Sequence, residues 1–540
     1  MLIHAQHLSK IMGSKTLFTD LEFHIAPKEK VALIGRNGQG KSTLLNIIGE
    51  LDRDYSGAIT RKKNLTTVLT KQEHLTDNTQ TALEYILKSV PHYTEYEKVL
   101  TGFEKEHHAD MHLYNEAVEY FSENGYYYIK DLIIGTLNDF QIPEDKANNS
   151  LKTLSGGEKR FVELTRMMYS QAELLLIDEP TNHMDYVGKE QFISWMLTVE
   201  AGLLVVTHDR DVLKHVDRIV ELKDQNIYSF KGNYDQYLKL NTAQTTSSVV
   251  QYQNQMKKLA DAKKRVEWGL QMRAKSKAWK VRYDHWVKDY EKIKSETVKP
   301  SFWIDQDSVT DLDKNVSDSY HKFKEKNVRI AIPPGKEKIS QLVGVKNLSL
   351  GYAAPLFAGV TFAFGSTQRV FIKGRNGAGK STLVKTILSQ YKEEKPAANI
   401  YDGEIKLASN LRIGEYNQEL DPVYLEQTLE QAINNVYAAL NIPIDLGKVK
   451  STMSQYLFDP VVDARQKIID LSGGQKARFQ LIKMFANKPN LLILDEPTNH
   501  LDLPSIEELE NALQEYDGGI LYISHDTSFI GKLGGEVVEI

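Results

Sequence analysis

The chain has 540 residues, of which 41% are hydrophobic and 26% charged, with a formal net charge of −5 and no cysteine. That length exceeds one core and predicts about two to four domains, while the missing thiols exclude disulfides, thiolate zinc sites and cysteine nucleophiles. No apolar run approaches the roughly 18–20 residues that cross a bilayer, and residues 1–10 hold no signal-peptide stretch, so a cytoplasmic protein is expected, with any polyanion site confined to a local patch.

In chain order, the first apolar strand, Val31 to Ile34, runs straight into Gly35-Arg-Asn37-Gly38-Gln-Gly40-Lys41-Ser42-Thr43. A strand, a glycine loop and a Lys-Ser pair opening a helix form a phosphate cradle. Backbone N–H groups converge there, and the helix start adds partial positive charge. Lys41 is expected to reach the β- and γ-phosphates of ATP, and Ser42 to hold Mg²⁺. Gln72 is a candidate ligand for that ion and the attacking water. Next comes Leu154-Ser155-Gly156-Gly157-Glu158. Leu174 to Ile177 then reads as a strand buried on both faces, ending in Asp178-Glu179. Asp178 stands where a carboxylate would hold Mg²⁺ through water, and Glu179 can polarise the attacking water. Another apolar run, Leu203 to Val206, ends in Thr207-His208-Asp209, and His208 can contact the γ-phosphate.

From Thr242 to Lys299 the composition changes. Fourteen Lys or Arg face six Asp or Glu, a local charge of +8, and Trp268, Trp279 and Trp286 fall here. Cations interleaved with flat rings suit phosphate backbones and base stacking. Tyr252, Met256, Leu259, Val266 and Leu270 follow a 4,3 spacing with Lys263 as its one polar position. Trp279, Tyr283, Trp286, Tyr290 and Ile293 follow it strictly. The two series are out of phase, which predicts a helical hairpin turning near residues 273–277, with the aromatic stripes as its own seam. An acidic stretch, Asp305 to Asp318, and Ile332-Pro-Pro-Gly335 lead to the second half.

That half repeats the first. Gly374-Arg-Asn376-Gly377-Ala-Gly379-Lys380-Ser381-Thr382 follows the strand Val370 to Ile372, and Gln418 matches Gln72. Leu471-Ser472-Gly473-Gly474-Gln475, the strand Leu491 to Leu494 with Asp495-Glu496, and Ile520 to Ile523 with Ser524-His525-Asp526 follow in the same order. The signature serine precedes the histidine by 53 residues in both halves. Duplication accounts for that register, and Lys380, Ser381, Asp495, Glu496 and His525 take the roles of their counterparts. The first half carries about 29 more residues between its glutamine and its signature, around 91–125.

These residues jointly resemble the ATP-binding cassette superfamily, whose signature is Leu-Ser-Gly-Gly. Two cassettes on one chain, a charged helical linker and an arm in the first cassette resemble its ABC-F family. The resemblance implies an α/β fold: a first cassette at 1–240 with an arm near 91–125, a basic hairpin linker at 241–338, and a second cassette at 339–540. It implies two ATPs with Mg²⁺, held head to tail. Lys41 would be paired with Ser472, Gly473 and Gly474, and Lys380 with Ser155, Gly156 and Gly157. Tyr352 stands where the family stacks an aromatic on adenine; the first cassette has Met12 there. It also implies an ATPase that binds the ribosome, its rRNA and tRNA, near the tRNA exit site. The expected role is modulation of translation. Ribosome protection against antibiotics is the rival, and a membrane-transporter ATPase subunit or a DNA-structure ATPase stands further off.

Overall fold

The computed structural model describes the chain except residues 14, 71–79, 104–110, 183, 324–338, 417–419, 472 and 500. Among the described residues, the first half is built on a six-stranded sheet. Its order is Thr67–Leu69, Leu174–Asp178, Gly202–Val206, Lys30–Gly35, Arg218–Lys223 and Asn226–Lys231, with only the last pair antiparallel. Leu174–Asp178 and Gly202–Val206 are buried at every position, as continuous apolar runs require of strands covered on both faces. One face packs on the helix Lys41–Ile48 and on an antiparallel sheet of Lys15–Ile25, Ile3–Met12 and Ser56–Arg61. The other face carries Phe192, Met196 and Leu164 from the helices Tyr186–Thr198 and Gly156–Met168.

The second half repeats this with a parallel sheet ordered Ile413–Tyr416, Leu491–Asp495, Gly519–Ile523, Arg369–Lys373 and Glu536–Glu539. In both halves the strands that carry chemistry end on the same edge. That edge is where a parallel α/β sheet binds ligands.

The insertion in the first half contributes two helices, Tyr93–Phe103 and Met111–Glu123. Their facing rings pair, Phe103 on Tyr114 at 4.1 Å and Tyr96 on Tyr120 at 5.0 Å.

The linker is a hairpin of Tyr234–Met272, 39 residues, and Lys277–Glu296, 20 residues. The first helix is roughly 58 Å long at 1.5 Å per residue. It starts before position 241, because Tyr234 and Tyr237 anchor its first turns in the core of the first half. Ser276 caps the return helix by accepting from the Trp279 N–H. The seam differs from the sequence expectation on one side. Trp279, Tyr283, Trp286, Tyr290 and Ile293 are partly buried as expected, but Met256 and Leu270 are exposed, and Ala262 and Gly269 are buried instead. The physical reason is size: a Cβ on Gly269 would lie 2.9 Å from the Trp286 ring, so the indoles admit only small residues opposite them. Trp268 meets Trp279 edge-on at 5.2 Å and Trp286 at 5.9 Å. The tryptophans therefore form a cluster with one another.

The acidic stretch folds back as Gln306–Thr310, capped by Asp305, and Lys314–Phe323. Phe302, Ile304 and Tyr320 pack there on Val249 of the long helix.

Candidate functional site

Each glycine loop turns from the end of its central strand into a helix through a glycine that must be a glycine. Gly40 has φ +99° and Gly379 φ +102°, where a side chain is strained, and a Cβ on Gly379 would lie 2.9 Å from Phe357. The lysines that follow are buried and held by the loops themselves. Lys41 Nζ donates to the carbonyls of Gly35 (2.6 Å) and Arg36 (3.3 Å), and Lys380 Nζ to those of Gly374 (2.8 Å) and Arg375 (2.9 Å). Burial pulls both lysine pKa values down, opposed by Glu179 and Glu496 respectively. Ser42 hydrogen-bonds Asp178, and Ser381 hydrogen-bonds Asp495.

The strand-end acids form matched pairs. Burial raises the Asp178 and Asp495 carboxyls above their ordinary range. Burial, with the neighbouring aspartate second, pushes Glu179 and Glu496 up to about 7. Both glutamates have left-handed backbones, φ +48° and +49°. Non-glycine residues hold such angles at a cost of order 1–3 kcal/mol, and they cluster at functional sites. His208 Nε2 lies 3.8 Å from Glu179 Oε1, and His525 Nε2 3.4 Å from Glu496 Oε1. Burial drives both imidazoles down to about 3, so each is neutral.

These residues fit a nucleotide with Mg²⁺. Both His208 ring nitrogens are buried without a hydrogen-bond partner among the described residues, a costly state that a phosphate oxygen would relieve. Among the described residues no cluster of three or more His, Cys, Asp or Glu could cage a metal ion. A serine and one buried carboxylate beside a phosphate cradle suit Mg²⁺, which keeps waters and phosphate oxygens as its other ligands.

The halves meet head to tail at both loops. Asp502 caps its own helix by accepting from Ser505 N through Oδ1, and accepts from Asn37 N of the opposite loop through Oδ2 at 3.2 Å. Asp185 repeats this, taking Gly188 N on Oδ1 and Asn376 N on Oδ2 at 3.1 Å. Burial would raise both carboxyls, but the Gly188 and Asn376 N–H groups hold Asp185, and the Ser505 hydroxyl and Asn37 N–H hold Asp502, below the ordinary range. Ser155 and Gly157 line one cleft with Asn376, Gly377, Gly379, Lys380, Ser381 and Thr382. Ser155 opens its helix in a reciprocal capping box with Glu158, so that helix start faces the second loop. Gly38, Thr43, Met12 and Tyr352 lie on the same cleft, and Met12 and Tyr352 are 61% and 56% exposed, open to a base. Gly156 and Gly473 begin the helices Gly156–Met168 and Gly473–Phe485, with Gly474 second in the latter. Gln72, Gln418 and Ser472 lie outside the described residues.

The model of the ABC transporter family matches residues 18–182 and 357–499, more than half of the chain. The chain belongs to the ABC transporter family. Its relatives extend over both cassettes and the linker. It is 29% identical over 552 residues to the putative ATP-binding protein YdiF of Bacillus subtilis, covering 100% of this chain and 80% of the relative. It is 28% identical to ABC transporter F family member 2 of Arabidopsis thaliana, covering 100% and 76%. It is 26% identical to the energy-dependent translational throttle protein EttA of Haemophilus influenzae, covering 99% and 92%. The RNase-L inhibitor structure superposes with a TM-score of 0.55 at 14% identity, over 99% of this chain and 87% of that one, a likeness of fold. Twin cassettes and full-length F-type relatives make this an ABC-F protein, and its cassettes are nucleotide-binding domains of the ATP-hydrolysing kind. No helix among the described residues is long and apolar enough to cross a membrane.

Several residues around the ABC sites escaped the sequence reading. Asp185 and Asp502 stand two residues past the histidine of each Pro-Thr-Asn-His run, and their matched register was the available signal. Arg160 donates to the carbonyls of Asp178 (2.8 Å) and Glu179 from the signature helix. The second cassette has Ala477 there, and its Arg478 turns instead to the carbonyls of Tyr456 and Leu457. The Gln141 amide, oriented as its neighbours dictate, donates to Asn376 O and accepts from Arg375 Nε, 3.1 Å each.

Proposed function

We propose that this protein hydrolyses ATP at two composite sites, and that its ATP-bound closed form binds the ribosome through the basic hairpin and modulates translation from the tRNA exit site. The observation that carries the ATP part is the reciprocal contact of Asp502 with Asn37 and of Asp185 with Asn376, since a loop touched by the opposite cassette makes closure sensitive to what the loop holds. Lys41 and Lys380 would bind the phosphates, Ser42 and Ser381 with Asp178 and Asp495 would hold Mg²⁺, and Gln72 and Gln418 would complete its shell. Mg²⁺, when bound, neutralises charge on the phosphates. Glu179 and Glu496 would accept a proton from the attacking water, and a glutamate near 7 is matched to that task. Neutral His208 and His525 would each donate to the γ-phosphate. The signature residues Ser155 and Gly157, and Ser472 and Gly474, would close the sites from across the interface.

The ribosome part rests on the hairpin. Arg273, Lys275, Lys277 and Lys280 are exposed at its tip, with Trp279 and Trp286 partly buried in the seam, so the cations offer phosphate contacts to rRNA or tRNA. The relative named as a translational throttle supports translation as the setting. The turn spans only 273–276 between the helices, a blunt tip that favours modulating translation over reaching a drug deep in the ribosome. Co-sedimentation with ribosomes in ATP, with DNA and membrane vesicles as competitors, tests the reading. ATP-dependent pelleting that DNA and vesicles leave intact is expected. Pelleting lost to either competitor would overturn the ribosome assignment.

A further inference from the structure

The two cassettes bind each other unequally around their histidine loops. Lys189, in the first-cassette helix Tyr186–Thr198, is buried, with 7% of its side chain exposed. Its ammonium crosses the interface and donates to the backbone carbonyl of His525 at 2.6 Å. Its remaining donors meet Asp209 Oδ2 at 2.9 Å and Asp211 Oδ2 at 3.2 Å, both from its own cassette. Asp211 then accepts from Thr527 Oγ1 at 2.5 Å, two residues past His525. A buried ammonium has three donors to satisfy, and here one satisfies the opposite cassette's main chain. The His525 N–H donates to Glu496 Oε2 at 3.3 Å, so the residue whose carbonyl Lys189 holds also holds the glutamate through its own N–H. Lys189 lies four residues past Asp185. Four residues past Asp502 stands Ile506, buried and without a donor.

We propose that Lys189 is a positioning residue for ATP hydrolysis at the Lys380 site, fixing the His525 loop and Glu496 from the opposite cassette, and that the Lys41 site has no such residue among the described ones. The inference rests on the hydrolytic reading above and adds to it that the two sites are unequal. Chemistry at the Lys380 site then depends directly on apposition of the cassettes.

The test is a single-turnover measurement on the full chain, loaded with ATP at both sites and started with Mg²⁺. In Lys189→Met, half of the bound ATP should hydrolyse about 10-fold or more slowly, because small misplacements at reacting centres cost rates of that order, and the other half should slow far less, since Lys189 reaches the His208 loop only through Asp209 of its own cassette. With γ-labelled azido-ATP loaded in place of ATP, photolabelling late in the reaction should mark the second cassette, where unhydrolysed nucleotide persists. Lys189→Arg keeps charge and donors and should restore the slow half to within about 3-fold. Equal slowing of both halves, label on the first cassette, or Lys189→Arg as slow as Lys189→Met would each overturn the proposal. A parent protein that hydrolyses no ATP would overturn the hydrolytic reading as well, which separates the two failures.

Discussion

Glu179 and Glu496 each combine burial, a neighbouring aspartate and a left-handed backbone. Their protonation should set the acid limb of turnover. A base must be ionised to accept a proton, so kcat should fall as pH drops below about 7 and level off above it; a pH–rate profile of ATPase checks this. Replacing both with Gln removes the base and leaves loops, serines and aspartates in place. ATP affinity should survive, while turnover falls roughly 10²-fold or more, as phosphate release measured beside equilibrium nucleotide binding would report. At this scale the sequence carried a good deal. Lys41, Ser42, Asp178, Glu179 and His208 lie at the ends of apolar runs, and the repeat doubles each signal. Lys189 and Arg160 were not legible, because a single basic residue on a helix looks solvated until tertiary structure buries it. Asp185 reads as a plain helix cap, and its second oxygen finds Asn376 only across the interface.

The linker shows how far periodicity reaches. A 4,3 repeat locates both helices and the phase break locates the turn, since these depend on local backbone geometry. The choice of Ala262 and Gly269 over Met256 and Leu270 was hidden, because it follows from the volume of indoles on the other helix. The functional surface is charge at the tip. Arg273 lies over the Tyr283 ring at 5.5 Å and is presented by it. Changing Arg273, Lys275 and Lys277 to Glu should leave ATPase and nucleotide binding intact, since the tip lies far from the loops. Ribosome binding should weaken, and its salt dependence should become shallower by about one counterion term per lost phosphate contact. Binding curves measured across salt concentrations for parent and variant decide it.

Across the whole molecule, the cassettes are joined by polar contacts, of which the pair between Arg210 and Glu510 is buried. Glu510 is fully buried, takes Arg210 through both oxygens at 2.6 and 3.2 Å and also accepts from Lys532 at 3.0 Å. Glu510→Ala would strand Arg210, at a cost of about 3–5 kcal/mol to the closed arrangement. A fluorescence pair with one dye on each cassette should then require more ATP to report closure. The linker enters the same junction. Trp303 packs with Tyr237 and with Leu503 of the second cassette, and its indole donates to Glu507 at 3.1 Å. Glu507 lies in the helix that Asp502 caps. Closure and the root of the hairpin are thereby mechanically connected, a link that no motif in the sequence could announce. The most direct measurement of ATP-controlled ribosome binding is co-sedimentation of Glu179→Gln/Glu496→Gln with ribosomes in ATP and in ADP. The variant should pellet with ribosomes in ATP and be released in ADP, with the charge-reversed hairpin reducing the ATP-bound fraction. Equal pelleting in the two nucleotides would contradict it.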